Sequence, residues 1–463
     1  MIRKAALALA LLTLGPPVGA AARLVNGFRV PDRSTIEALP QRATGPLVFT
    51  GARVFDARTG SMEGPSTVVI SGQRIAAVTP GGAIDIPPGA EVIHAAGMTL
   101  LPGLWDLHAH LTDVDGALYL AAGITSIREL AGNAYRSADL ARAFAEGSAL
   151  GPRVILAGII DGRGFPWSAS SVLADSESEA RTAVSFYARL GYEQVKIYSH
   201  LKPEIAPAII GEAHRLGLRV SGHVPAGMTA EGLARLGIDE IHHASYLLLN
   251  SIETSNPGKC LRTLAQRADQ IDLESTEVRA LISLLKHQDV VVDPTLARCE
   301  LTLTPRGTGY PEVFRAIVEL LPGPLRKQVW QDSLRAPKGT EERYRGAFLS
   351  VQKLVGTLYR EGVRLAVGTD ALAGFTLPRE LELLVGAGVP PPQVLRMATL
   401  GAAQIANRDQ ELGSIEPGKL ADLVLLEGDP TQLISNVRQV VLTVKDGVVY
   451  RRAELYQALG VGH

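Results

Sequence analysis

Two cysteines, Cys260 and Cys299, are all that 463 residues contain. Neither belongs to a CxxC pair, which excludes a zinc site built on paired thiolates. One disulfide is the most the chain could form; pairing and separate buried thiols both stay open. No charge of either sign dominates: 46 Lys and Arg face 47 Asp and Glu, for a net charge of −1. That balance argues against a nucleic-acid or anionic-membrane surface. Beyond the first twenty residues, no apolar run is long enough to span a bilayer.

What is present is ordinary for a globular enzyme: 46% hydrophobic residues, 20% charged residues and 47 glycines. The length suits one large domain and a smaller one. The N-terminus stands apart. "MIRKAALALALLTLGPPVGAAA" opens with Arg3 and Lys4, runs apolar from Ala5 to Leu14, and ends in small residues at Val18-Gly19-Ala20. This predicts a secretory signal peptide over residues 1–22, with a membrane anchor as the alternative. The mature chain is then exported, periplasmic or extracellular, and free of the membrane.

A polar connector is expected to about Thr44. Then "PLVFTGARVFDARTG" and "STVVISGQRIAAVTP" alternate apolar and polar residues between glycine turns, a hairpin pattern. The far end has the same texture, with "KDG" as a turn between two β-rich runs. Residues 45–100 and 406–455 are therefore expected to form one small β-sandwich domain. Between them, over 101–405, eight short apolar runs alternate with helical patterns: "LPGLWDLH", "GITSIREL", "RVILAGII", "YEQVKIY", "LRVSGHV", "IDEIHHA", "DVVVDPTL" and "VRLAVGTD". Eight βα units favour an α/β fold of the closed (β/α)8 TIM-barrel type. An open doubly wound sheet fits less well, because no GxGxxG follows the first strand. Residues 301–360 exceed what one helix needs; "PEVFRAIVELL" and "KQVWQDSLRA" read as helices of a lid, a substrate wall or a surface addition.

Such barrels carry chemistry at the C-terminal ends of their strands. In "DLHAHL" the side chains of His108 and His110 share one strand face. Alone, the pair could be a solvated strand end. The other strand ends add Lys196, His223, His243 and Asp370. Four imidazoles, a lysine and a carboxylate suit zinc, iron, cobalt or manganese.

Taken together, "DLHAHL", "GITSIREL", "VKIYSHL", "SGHV", "IHHAS", "VGTDA" and "LGSIEPGKLADLVLLEGDP" resemble the amidohydrolase superfamily of metal-dependent hydrolases over nearly all of the chain after the leader. The resemblance implies a binuclear centre of two divalent metal ions, zinc first, with manganese, cobalt or iron as alternatives. His108, His110 and Asp370 would bind one ion, His223 and His243 the other. Lys196 would be carboxylated and bridge both, because an ammonium repels two cations whereas a carbamate offers anionic oxygens. A metal-bridging hydroxide would attack the substrate, and Asp370 would be the catalytic base and then acid. The motif usually reads Glu-His-Gly where this chain has His242-His243-Ala244; strand alternation should turn His242 to the opposite face, although an exchange with His243 stays open. His200 and His214 read as solvated or packed.

No glutamate follows His223 before Glu231, which should open a helix. With Lys196, this favours a two-metal, prolidase-like or imidazolonepropionase-like hydrolase over a mononuclear deaminase. The implied substrate is a small molecule with an amide-type C–N bond, a dipeptide or N-acyl amino acid; a cyclic amide of the imidazolone or lactam type is the second reading. A binding protein on a catalytically dead scaffold is the reading from another class, and the filled ligand positions weigh against it. Arg163 and Tyr198 are candidate substrate-binding groups, Arg163 for a carboxylate and Tyr198 for a carbonyl oxygen, with Phe165 and Trp167 as candidate walls. Self-association is not legible.

Overall fold

The computed structural model describes residues 24–25, 27–81, 85–163, 171–248, 260–307 and 309–462. The expected leader, Phe165 and Trp167 lie outside them. The large domain is the expected (β/α)8 barrel. Strands β1 (Leu104–Ala109), β2 (Ile124–Glu129), β3 (Arg153–Asp161), β4 (Gln194–Ile197), β5 (Arg219–Gly222), β6 (Glu240–His242) and β7 (Val291–Asp293) pair in parallel in sequence order. Residues 364–367 fill the eighth position. Ala366 N donates to Val292 O at 2.9 Å and Leu107 N to Val367 O at 2.8 Å, so this segment joins β7 to β1 and closes the barrel. Strands buried on both faces read as unbroken apolar runs, and every residue of β1, β2 and β4 is buried.

The helices between strands follow their capping signals. Ser176, Thr229 and Ser275 each accept a backbone N–H at a helix start, and those helices cover Glu177–Arg189, Ala230–Arg235 and Thr276–His287. Glu231 falls in the first turn of its helix, as expected. Gly191, Gly217 and Gly237 take positive φ (81°, 76° and 88°) just past helix ends, where a side chain would be strained.

Both chain ends enter one predominantly antiparallel sheet. Met98–Pro102 pairs antiparallel with Leu423–Glu427, which pairs in turn with Val440–Lys445. At the "KDG" turn Asp446 and Gly447 have φ of 51° and 73°, both in the left-handed region a tight hairpin needs. Leu47, Phe49, Val68, Leu100, Leu423 and Val444 belong to the core of this small β-sandwich. The backbone changes partner at Gly103: its N–H donates to Asp422 O of the small domain at 2.8 Å, whereas Leu104 N donates to Gly123 O of the barrel at 3.0 Å.

Two expectations need correction. The connector before Thr44 contains a helix, Arg33–Ala38, whose start is capped by Asp32 Oδ1 accepting from Thr35 N at 2.9 Å, and a strand, Gln41–Arg42, on the sheet edge beside Val448–Arg451. "PEVFRAIVELL" forms only a four-residue helix, Glu312–Arg315, and a 3-10 turn, Val318–Leu320. Val313, Phe314, Ile317, Val318 and Leu321 are all buried there at the spacing of one helical face, so the apolar pattern is satisfied although the backbone tightens from α-helix into a 3-10 turn. No helix among the described residues is long and apolar enough to cross a membrane.

Candidate active site

The C-terminal ends of the barrel strands surround a cavity of about 1180 Å³. His108 leaves β1 fully buried. Its Nδ1 lies 2.7 Å from Asp293 Oδ2 at the end of β7, and its Nε2 lies 3.3 Å from Lys196 Nζ on β4. His110 is more exposed, with Nε2 2.9 Å from Asp370 Oδ1. His223 follows β5; its Nδ1 is 2.7 Å from Ser199 Oγ and its Nε2 is 3.0 Å from His243 Nε2. His243 Nδ1 is in turn 2.7 Å from Thr295 Oγ1. Asp370 stands at the centre, with Oδ1 3.8 Å from His108 Nε2 and Oδ2 3.9 Å from His243 Nε2. All six residues named as ligands from the sequence are therefore brought together.

His242 corrects one expectation. It does not turn away from the barrel interior: its ring centroid is 4.8 Å from that of His108, and its Nε2 is 3.3 Å from Glu240 Oε1. Strand alternation would then send His243 outward, but His243 has φ 61°. That left-handed residue ends the alternation and delivers the second imidazole to the mouth. Asp370 (φ 47°) and Thr295 (φ 45°) are left-handed too. Three non-glycine residues in this region around one cavity are the clustering expected where backbone geometry serves a site.

Electrostatics follow burial. Burial presses His108 and His223 well below the usual imidazole range, and His243 down to about 3. These rings are neutral, the form that donates a lone pair to a metal. Burial also pulls Lys196 down to about 8, against the opposing pull of Asp370 and Asp293. Burial would raise Asp370, but the hydrogen bond and charge of His110 hold it well below the ordinary carboxylate range.

The donors fit divalent cations. Rings held through one nitrogen by a carboxylate or hydroxyl, with the other nitrogen aimed at a shared point, are the usual arrangement of metal-binding histidines. Two nitrogens on one tetrahedral zinc at ~2.0–2.1 Å lie about 3.3 Å apart. The 3.0 Å between His223 and His243 is within a few tenths of an ångström of that. His108, His243 and Asp370 form one set with ligand atoms inside 4.8 Å, and His108, His242 and Asp293 form another, deeper one. In the deeper set His108 has already committed Nδ1 to Asp293, so those residues support the ring from behind.

Sequence reasoning missed these supports. Asp293, Ser199 and Thr295 orient the rings. Glu129, at the end of β2, accepts from Leu111 N at 2.5 Å, Ala131 N at 2.9 Å and Gly132 N at 2.6 Å, and so shapes the loop that carries His110. Acidic or hydroxyl residues at strand ends were the available signal. Tyr198 lines the cavity, its ring 4.2 Å from that of His223. Arg163 does not reach it: the guanidinium pairs with Glu179 at 2.9 Å and is not among the lining residues. His200, read as bland, lines the cavity with its Nδ1 3.4 Å from Asp161, whereas His214 pairs with Asp239 away from it. Cys299 is buried at the wall; the Cys260 side chain lies outside the described residues. The 301–360 insertion contributes Phe314, Leu325, Val329 and Leu334 to the lining, so it is a wall of the cavity.

Residues 99–450 match the profile of the Amidohydrolase family. The ochratoxinase of Aspergillus niger is 23% identical over 467 aligned positions, covering 86% of this chain and 84% of that protein. Among solved structures, bottromycin amidohydrolase superposes with a TM-score of 0.73 at 21% identity, covering 93% of both chains. A putative prolidase from Bifidobacterium longum superposes with a TM-score of 0.68 at 23% identity, covering 91% of this chain and 99% of that one. These structural likenesses carry the fold.

Proposed function

This chain belongs to the amidohydrolase family and is a hydrolase of carbon–nitrogen bonds, and we propose that it is an exported binuclear metalloenzyme that cleaves a dipeptide or N-acyl amino acid. The observation that carries the reading is the convergence of His108, His110, Lys196, His223, His243 and Asp370 on one cavity mouth. His108, His110 and Asp370 would hold one divalent ion and His223 and His243 the other, with carboxylated Lys196 between them. Zinc is the first choice for this nitrogen-rich set, with manganese, cobalt or iron able to substitute. Such ions, when bound, supply a water of lowered pKa and polarise the scissile carbonyl.

The chain's own residues do the rest. Asp370, ionised and at the centre of the cluster, takes the proton of the attacking water and returns it to the leaving nitrogen. Water adds at the carbonyl carbon, the C–N bond breaks, and an acid and an amine leave. Asp293, Ser199 and Thr295 keep the imidazoles aimed. Tyr198, which lines the cavity, would donate to the carbonyl oxygen. Burial favours the neutral amine of Lys196, the form that adds CO₂. The basic, then apolar, then small-residue start of the chain supports export.

The test is a library of dipeptides and N-acyl amino acids offered to protein loaded with zinc, manganese or cobalt, with metal content measured alongside. Amide cleavage that is lost on chelation supports the reading. A protein that carries no transition metal, and whose activity is unchanged in His108→Ala and Asp370→Ala, refutes it.

A further inference from the structure

Arg298 sits on the helix Leu296–Leu303, which follows β7 and leads into the insertion. The helix is fixed by its neighbours. Glu380 accepts from Leu296 N at 2.9 Å and Ala297 N at 2.6 Å, and Glu300 is held by Arg379 at 2.6 Å and 3.0 Å. The nearest acid on its own helix is therefore committed elsewhere. Arg298, Leu301 and Thr302 share one helical face, and all three line the cavity. The Arg298 side chain remains 44% exposed, with Nε 3.8 Å from Asp370 Oδ2. Asp370 is the one acidic side chain among the described lining residues, against the guanidiniums of Arg298 and Arg335. A guanidinium fixed on a rigid helix and facing a cavity short of anions is a receptor for a carboxylate.

Its place beside Asp370 says which carboxylate. Asp370 hands its proton to the leaving nitrogen. In an α-amino acid, one carbon separates that nitrogen from the carboxylate. A leaving amino acid with its nitrogen at Asp370 thus brings its α-carboxylate to Arg298. The same side of the cavity carries the apolar Leu301, Phe314, Leu325, Val329 and Leu334, with Gln328, Ser333 and Arg335 among them. We infer that Arg298 is the specificity-determining residue for the leaving group: it binds the free α-carboxylate of a C-terminal amino acid whose bulky apolar side chain packs on the insertion wall. This rests on the amide-hydrolysis reading above.

The experiment compares N-acetyl-, N-benzoyl- and glycyl-L-phenylalanine with the same acyl groups on phenethylamine, which lacks only the carboxylate. Metal-loaded enzyme is expected to favour the carboxylates by about 10- to 100-fold in kcat/KM. Arg298→Gln should bring that ratio close to one, and Arg298→Lys should leave it intermediate, because a point charge keeps part of the attraction. Calorimetry with the products should show L-phenylalanine binding more tightly than phenethylamine in the parent and equally in Arg298→Gln. If Arg298 serves only to bias Asp370, the variant slows both series alike and keeps their ratio, which overturns the assignment while amide hydrolysis stands. Hydrolysis of neither series overturns the amide reading. Calorimetry then decides separately: selective binding lost in Arg298→Gln retains the carboxylate site, and equal binding by the parent removes it.

Discussion

His223 and His243 meet Nε2 to Nε2 at 3.0 Å, and each is held from behind by a hydroxyl, Ser199 for the first and Thr295 for the second. The hydroxyl contacts cost the rings their freedom, so both donors are aimed before a cation arrives. Replacing either ring should remove one of two bound ions and leave the other. His243→Ala, reconstituted with zinc and measured by elemental analysis, is expected to fall from about two ions per chain toward one. Chelation should lower the melting temperature of the parent more than that of the variant, because a ligand that binds only the folded state stabilises it. Two ions per chain in His243→Ala would remove this residue from the ligand set.

Lys196 carries the second prediction. It is fully enclosed, and burial brings its amine down to about 8. Intact-protein mass under native conditions should show one added CO₂ in the metal-loaded form. The neutral amine reacts, so recovery after CO₂ removal should be faster above pH 8 than near pH 6. Lys196→Ala is expected to lose at least about 10²-fold in kcat, more than the loss of an outer partner of a metal ligand. A short carboxylic acid such as acetate, supplying the missing oxygens, should restore part of it. A fully active Lys196→Ala would eliminate the bridge.

These two groups mark how far the sequence could be read. Barrel strands are apolar runs that end in polar residues, so the strand ends, and with them His108, His110, Lys196, His223, His243 and Asp370, stand out by position alone. Backbone conformation does not. Nothing in "IHHAS" states that His243 is left-handed, and that single φ decides which of two adjacent histidines reaches the cavity mouth and which sits beneath it. Asp293 and Glu129 ended recognised strands, yet an acidic residue there reads equally as support or as solvated charge. Arg298 was out of reach, because a helical arginine acquires meaning only from the cavity beside it. Arg163 failed for the converse reason: Glu179, sixteen residues on, satisfies it.

Asp293 supports the third prediction. Its Oδ2 is 2.7 Å from His108 Nδ1, and both side chains are fully buried. Asp293→Asn keeps the volume but replaces the carboxyl group that holds His108 Nδ1 with an amide. Metal affinity or kcat should fall by about 10- to 100-fold, with the fold intact by circular dichroism. Gly368 gives an independent approach to the same pair. A Cβ there would lie 2.5 Å from His108 Cβ and 2.8 Å from Asp293 Oδ1, so Gly368→Ala must displace one of them. It should reproduce the metal defect of Asp293→Asn. If both variants bind metal like the parent, the orientation of His108 owes nothing to Asp293.

Beneath the cavity lies a buried ion pair. Arg128 donates to both carboxylate oxygens of Glu240, through Nη1 at 2.8 Å and through Nη2, and to Leu107 O at 2.8 Å through Nε. Burial would push Glu240 up, but the Arg128 charge and the contact with His242 hold it well below the usual carboxylate range. A carboxylate depressed in the folded state contributes stability that is present above its unfolded value and lost as pH falls through the folded one. Removing one partner strands the other. Arg128→Met is expected to cost about 3–5 kcal/mol in urea unfolding at pH 7, whereas Arg128→Met with Glu240→Leu should recover most of it. As pH falls from 7 the gap between parent and Arg128→Met should narrow. The lone buried Glu240, raised by desolvation, takes up a proton above its unfolded value of about 4.5, and below that value the parent loses the stability of its depressed carboxylate. A gap that is unchanged between pH 7 and pH 4 would show that the cost arises from lost packing of the Arg128 stem instead of from the stranded charge.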